Sequence, residues 1–284
     1  MADAILKRFA LAGKVAAITG GGGDLCGAMA QALGAMGVAV AVLDIDPAKA
    51  DDRARAIVAA GGQAAAWRCD VLDPAQLQDC YSAISRRWHA PDFLVNGAGG
   101  NDPRGTTAES FHEGGQAPAD RGQSFFDLSR EGFQRVFDLN FMGTFLATQV
   151  FAAGMTARGA GAIVNISSMS AFTPLTKVAA YSAAKAAVSN FTRWLAVHLA
   201  HSGVRVNALA PGFFMTEQLK FLHLDRETGE LLPRARAVIA HTPMGRYGDP
   251  DDLIGPLVWL LSEASRFVTG VVVPVDGGFS SFTI

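Results

Sequence analysis

Cysteine is scarce in this sequence. The 284 residues include three, Cys26, Cys69 and Cys80, an odd number without CxxC or metal-ligand spacing. That excludes a disulfide framework and points to free thiols in a reducing compartment. Histidine is thin as well: the six residues form no HExxH or clustered ligand pattern, so no catalytic metal is expected. An excess of either charge is missing, with 24 Lys and Arg against 26 Asp and Glu leaving a formal charge of −2. No basic block is available to neutralise a phosphate backbone, and nucleic acid is not an expected partner. The apolar run Leu253 to Leu261 is too short to span a bilayer, and the opening MADAILKRFALAGK carries Lys7 and Arg8 inside its apolar stretch with no cleavable core. A soluble cytoplasmic protein without a membrane partner is expected.

What is present is a 50% hydrophobic composition, enough for a large core. The apolar run Val15–Thr19 ends in four glycines, is followed by a helical pattern through Met36, and gives way to a second run, Val38 to Leu43, ending at Asp44. This is a β-α-β unit. The alternation continues with helices around Pro47 to Ala60 and Pro74 to Trp88, and strands at Ala64 to Arg68 and Phe93–Asn96. The second half adds a helix from about Ser129 to Thr156, a strand at Ala162 to Ser167 and a long helix from about Ala179 to Ala200. A strand at Arg205 to Ala210, a helix near Leu253 to Leu261 and a strand at Val271 to Val275 close the series. Seven strands alternating with helices predict a doubly wound, Rossmann-type α/β fold, mainly parallel, with helices on both faces. No linker-like shift in composition divides residues 1–284, so a single domain is expected. Two irregular stretches interrupt the rhythm, an insertion at about 97–127 and a loop at about 212–233. Both follow the carboxyl ends of strands, where open parallel sheets bind ligands.

Gly20 to Gly23, at the junction of the first strand and helix, is placed to bring backbone amides against a pyrophosphate. Gly20, Gly22, Gly23, Asp24 and Leu25 are the candidate residues of that turn. Asp44 ends the second strand 24 residues after Gly20, where a carboxylate accepts both adenosine ribose hydroxyls and repels a 2′-phosphate. NAD is therefore favoured over NADP. Asp46 is better placed than Asp44 to cap the following helix. At the next strand ends, Asp70 and Val71 could meet the adenine, and Asn96, Ala98 and Gly99 could line the cofactor closely.

Tyr181 and Lys185 lie four apart at the start of a long helix and project from one face. Ser168 ends the preceding strand, and Asn140 sits inside a helix, where a polar residue is normally unwelcome. Reducing a ketone needs a hydride at carbon and a proton at oxygen. A phenol of ordinary pKa ~10 exchanges protons poorly at neutral pH, and bringing it to about 7 takes on the order of 4 kcal/mol. Lys185 is the expected source of that stabilisation, together with the positive nicotinamide. Ser168 is placed to bond the substrate oxygen, and Asn140 to hold a water that relays protons to Lys185.

The ordered set TGGGG, Asp44, Asp70, NGAG, Asn140, Ser168, YSAAK, Pro211-Gly212 with Thr216, and the late VDGG resembles the short-chain dehydrogenase/reductase family over nearly the whole chain. The resemblance implies that Lys185 also holds nicotinamide ribose hydroxyls, and that Pro211, Gly212, Phe213 and Thr216 lie along the nicotinamide, the last two at its carboxamide. It also implies a homotetramer built on the two long helices. One departure stands out: the family pattern TGxxxGxG has glycines where this chain has Asp24 and Cys26. An anion there is unfavourable beside a pyrophosphate unless it points away or caps the helix.

Within that family, NGAGGNDP, SSMSAFTPLTKVAAYSAAKAAVSNFTRWLAVH, APGFFMTEQ, TPMGRYG and VTGVVVPVDGGFS are similar to the D-mannonate oxidoreductases, or fructuronate reductases. These imply reduction of the D-fructuronate ketone to D-mannonate in hexuronate breakdown. Asn140 follows Asn96 by 44 positions, a long separation that supports a special substrate. A sugar acid calls for a cation and many hydrogen-bonding groups, for which Asn101, Arg104, Ser168, Thr176, Lys177 and Arg246 are candidates. Lys177 or Arg104 is expected at the carboxylate. The alternatives are the same chemistry on another polyol, ketose or sugar acid, and an NAD-binding regulator without turnover.

Overall fold

Strands buried on both faces read as nearly continuous apolar runs, and the central strands of this chain lie in a parallel sheet covered on each side. The computed structural model describes residues 2–114, 122–225 and 228–283. Residues 115–121 of the insertion and 226–227 of the second loop therefore lie outside the described residues. Among the latter, seven strands make one all-parallel sheet: β1 (Val15–Thr19), β2 (Ala39–Asp44), β3 (Gln63–Arg68), β4 (Phe93–Asn96), β5 (Gly161–Ile166), β6 (Val204–Pro211) and β7 (Val272–Val275). Their order is β3-β2-β1-β4-β5-β6-β7, as the doubly wound reading requires. In chain order the helices are α1 (Ala2–Leu6), α2 (Asp24–Ala35), α3 (Pro47–Ala59), α4 (Pro74–Arg87) and α5 (Arg130–Phe137). They continue with α6 (Gly143–Arg158), α7 (Ala179–Leu199), α8 (Glu217–His223), α9 (Pro233–His241) and α10 (Ile254–Leu261).

The period of two along β1 divides the core. Ala16 and Ile18 pack with Met29 and Leu33 of α2, Ile57 of α3 and Leu257 of α10. Val15 and Ala17 pack on the other face with Leu77 and Ile84 of α4, Phe151 and Met155 of α6, and Leu195 of α7. Side-chain caps set several starts: Asp46 accepts from Ala48 and Lys49 at α3, and Asp73 accepts from Ala75 and Gln76 at α4. Proline follows each at the first helical position, where its missing N–H costs nothing.

The helix expected from Ser129 to Thr156 is interrupted. Between α5 and α6, Asp138–Met142 makes one π-helical turn. Taken together, Arg130–Arg158 is long and apolar enough by composition to cross a membrane, with mean hydropathy 1.2. Its Ala147, Phe151 and Met155 are nevertheless completely buried against the sheet.

β1 lies between β2 and β4, so the connections leaving it diverge to opposite sides of the sheet. Open α/β folds place their ligand crevice at the carboxyl ends of the strands at that point.

Candidate active site

At the switch point, the glycine turn after β1 meets the strip after β4. Gly20 has φ +64°, and a Cβ there would come within 2.9 Å of the Ala98 backbone. The turn needs glycine for both reasons. Thr19 ties the two segments together, its hydroxyl accepting from the N–H groups of Gly97 and Ala98 at 3.0 and 3.2 Å. Asp44 accepts from Gly22 N–H and Asp46 N–H, both at 3.0 Å, one on each carboxylate oxygen. Each oxygen keeps a lone pair for a ribose hydroxyl. Asp46, and not Asp44, caps α3, as expected. Gly23 and Gly99 are exposed along the same crevice. A glycine turn opening the twelve-residue α2, with a carboxylate at the end of β2, fits a dinucleotide's pyrophosphate and adenosine ribose.

Asp70 accepts from Leu72 N–H at 2.9 Å while Val71 is buried, packed where a Cβ on Gly143 would meet it at 2.7 Å. Leu25 packs into the core beneath the turn. Asn96 behaves differently from its expected place along the cofactor. Its amide is 2% exposed and turned inward, donating to Thr148 and Asn165 at 2.9 and 2.8 Å. It holds β4 to β5 and α6, and so positions the Gly97–Gly100 strip from behind.

The catalytic candidates converge on that strip. Asn140 is completely buried in the π-helical turn, donates to Gly100 and Val136 carbonyls at 2.7 and 2.8 Å, and accepts from Gly100 N–H at 3.2 Å. A Cβ on Gly99 would lie 2.6 Å from Asn140 Oδ1 and 3.2 Å from Lys185 Nζ, which places both polar groups against this glycine. π-turns recur at functional sites because they reorient one side chain within a helix. Here the side chain reoriented is Asn140.

Lys185 is 4% exposed, donates to the Ile166 carbonyl at 2.8 Å and lies 5.6 Å over the Tyr181 ring. Burial holds its ammonium down to about 8, with the nearby Cys26 thiol acting in the opposite direction. Burial pushes the Tyr181 phenol above its ordinary value, while its bond with the Ser168 hydroxyl pulls it down. Within the chain itself, desolvation penalises the charged form of both groups, so the lowering expected of the phenol is left to the nicotinamide. Tyr181 is consequently a neutral proton donor around pH 7, suited to protonating a ketone oxygen. Ser168 is buried, and its hydroxyl also accepts from Ser170 N–H at 3.2 Å.

The nicotinamide-side candidates follow β6. Pro211 ends the strand, and Gly212 is packed so closely that a Cβ would meet Asp276 at 2.6 Å. Phe213 sits in an aromatic group with His223, Tyr247 and Phe279. The Thr216 hydroxyl caps α8 through Leu219 N–H.

The expected substrate cations are all engaged within the chain. Arg104 makes a bidentate pair with Asp102, at 3.0 and 2.8 Å. Arg246 pairs with Asp252 at 2.7 and 3.1 Å and lines a cavity of about 530 Å³ with Phe213, Met244 and Asp276. None of the four catalytic candidates lines that cavity. Lys177 has φ +74°, rare for a side-chain-bearing residue, and both ends of it grip the insertion. Its ammonium donates to the Ala108 carbonyl at 2.5 Å, and its carbonyl accepts from Thr107 N–H at 2.9 Å. Thr176 is exposed in the same turn, and Asn101 donates to the Thr106 hydroxyl at 3.0 Å. Among the described residues, no three His, Cys, Asp or Glu side chains are gathered to hold a metal ion.

A parallel doubly wound sheet whose switch-point crevice holds Asn140, Ser168, Tyr181 and Lys185 defines a class of oxidoreductase. Residues 25–280 match the family described as enoyl-(acyl carrier protein) reductase, a branch of the short-chain dehydrogenases. The chain belongs to the short-chain dehydrogenase/reductase family and is an NAD(P)-dependent oxidoreductase acting on a CH–OH group. It is 50% identical over 275 residues to the uncharacterized oxidoreductase UxuB of Bacillus subtilis strain 168, covering 96% of this chain and 97% of that one. A crystal structure with bound NAD, from a Haemophilus influenzae protein provisionally described as a D-mannonate oxidoreductase, superposes with TM-score 0.91. The identity is 45%, with 96% of this chain and 97% of that chain covered. A gluconate 5-dehydrogenase from Burkholderia cenocepacia J2315, in complex with NADP and tartrate, superposes with TM-score 0.82 at 32% identity, covering 98% and 99% of the two chains.

Proposed function

We propose that the protein is an NAD-dependent reductase of a sugar-acid ketone, interconverting D-fructuronate and D-mannonate. This reading is supported by the likeness, over 96% of the chain at 45% identity, to the NAD-bound Haemophilus influenzae protein. When bound, the cofactor supplies or accepts the hydride. Tyr181 would give its proton to the ketone oxygen, Ser168 would bond that oxygen and Lys185 would hold the nicotinamide ribose hydroxyls, while Asn140 fixes the Gly99–Gly100 strip beside Lys185. The exposed Trp194 and Val197 on α7 support a homotetramer packed through the long helices. The test is a panel of uronates, ketoses and cyclic ketones followed by NADH oxidation at 340 nm. Selective turnover of D-fructuronate supports the assignment, and preference for another ketone replaces its substrate.

The gluconate 5-dehydrogenase likeness favours a second reading, a related sugar acid with NADP. Asp44 argues against that cofactor, because a carboxylate at the end of β2 repels a 2′-phosphate. Replacing it should show this: Asp44→Ser is expected to raise the NADPH-to-NADH ratio of kcat/KM by about 100-fold, the scale of a close like-charge contact near a protein surface. An unchanged ratio removes Asp44 from cofactor selection.

Of the two cations proposed for the carboxylate, Lys177 is favoured. The bidentate face of Arg104 is taken by Asp102, whereas the Lys177 ammonium spends one of its three donors on Ala108. Lys177→Met is expected to raise the ketone KM about tenfold and leave the NADH KM unaltered, since a charge-assisted bond is lost only to the acid. An unaltered ketone KM places the carboxylate elsewhere.

A further inference from the structure

Asp24 replaces a family glycine at the first position of α2, directly after the Gly20–Gly23 turn. A carboxylate beside a bound pyrophosphate costs affinity through like-charge repulsion, so its presence calls for a compensating contact. The structure supplies one. Asp24 Oδ2 accepts from the backbone N–H of Glu217 at 2.8 Å, across 193 residues of sequence. Glu217 begins α8, the helix of the substrate loop. One turn on, Lys220 pairs with the Glu217 carboxylate at 2.6 Å. The far end of α8 is held separately, where His223 Nδ1 and the Tyr247 hydroxyl share a bond of 2.6 Å. The bridge between Phe214 and Gly248 fixes the chain ahead of the helix. The helix is thus held near both ends, and the long-range contact at its start is with a residue of the cofactor turn.

We propose that Asp24 is a positioning residue that ties the substrate-loop helix α8 to the pyrophosphate turn, at some cost in dinucleotide affinity. The proposal rests on the pyrophosphate lying at Gly20–Gly23 and not on the identity of the ketone. Charge and tether separate by substitution. Asp24→Asn keeps an acceptor oxygen and loses the charge, whereas Asp24→Gly restores the family residue and loses both.

Hydrogen exchange of the 213–224 segment and fluorescence titration with NADH, both on the full-length protein without ketone, read the two effects independently of turnover. With Asp24→Gly, exchange of the Glu217 amide that opens α8 should accelerate at least about tenfold, because Asp24 is the acceptor of its N–H. With Asp24→Asn it should stay within about twofold of the parent, since the bond survives. Both variants should bind NADH several-fold more tightly as the anion is removed. Because the tether acts on the substrate loop, Asp24→Gly should also raise the ketone KM while Asp24→Asn does not. Unchanged exchange in Asp24→Gly overturns the tether, and unchanged or weaker NADH binding in Asp24→Asn overturns the electrostatic cost.

Discussion

Tyr181→Phe should lower kcat by about 10³-fold or more while leaving NADH affinity within about twofold, as expected for removal of the one proton donor at the reacting oxygen. Phenylalanine fills the same half-buried space, so the loss is chemical and not one of packing. Ser168, Lys185 and the buried Asn140 bonds stay in place. A pH dependence accompanies the prediction. Burial holds the phenol above its ordinary value, so at neutral pH Tyr181 is protonated and ready for ketone reduction. Alcohol oxidation requires the phenolate and should climb as pH rises through the alkaline range, while reduction falls. Initial rates in both directions from pH 6 to 10 measure this. Oxidation that is flat with pH, or a Tyr181→Phe enzyme of parental kcat, contradicts the role given to Tyr181.

Lys185→Met should abolish turnover and make the protein more stable. The ammonium is almost completely buried, with its pKa brought from 10.5 to about 8 by desolvation, a change corresponding to roughly 3 kcal/mol. The folded state therefore binds fewer protons than the unfolded chain between about pH 8 and 10.5, and parental stability rises with pH across that window. Below about pH 8 the full penalty is present. Methionine removes it, losing the bond to Ile166, which offsets about 1 kcal/mol. A net gain of about 2 kcal/mol corresponds to a rise in Tm of about 4 °C at pH 7 for a domain of this size. The difference should shrink by pH 10.5, where both chains carry a neutral group. Thermal unfolding of both proteins at pH 7 and 10 checks the sign. Destabilisation at pH 7 would show that the Ile166 bond outweighs desolvation, and retained turnover would remove Lys185 from the reaction.

Much of the fold was legible in the sequence because its strands are apolar on both faces and its helices begin with clear chemistry. The run Val15–Thr19 with its glycines, and Asp46 preceding a proline, say where an element starts without tertiary context. Asn140 could be singled out because an amide in an apolar helix demands a partner. The π-turn that turns it toward Gly100 is set by packing between distant segments, which no local pattern encodes. Asn96 shows the same limit: NGAG gives its neighbourhood, yet the inward bonds to Thr148 and Asn165 come from other elements. Asp24 was visible only as a departure from a pattern, since its partner Glu217 lies near the other end of the chain. The direction in which the fold moves the Tyr181 phenol is hidden from the sequence for a related reason. A charge four residues away is read easily from sequence, whereas the burial that opposes it is a property of the folded whole.

The most direct test of the account is transfer of deuterium from NADH deuterated at the nicotinamide C4 to D-fructuronate, with the product identified by NMR. The parent should form D-mannonate carrying one deuteron at the former ketone carbon, and Tyr181→Phe should not. Unlabelled product, the epimeric alcohol, or no turnover of D-fructuronate by an enzyme that reduces another ketone would contradict it.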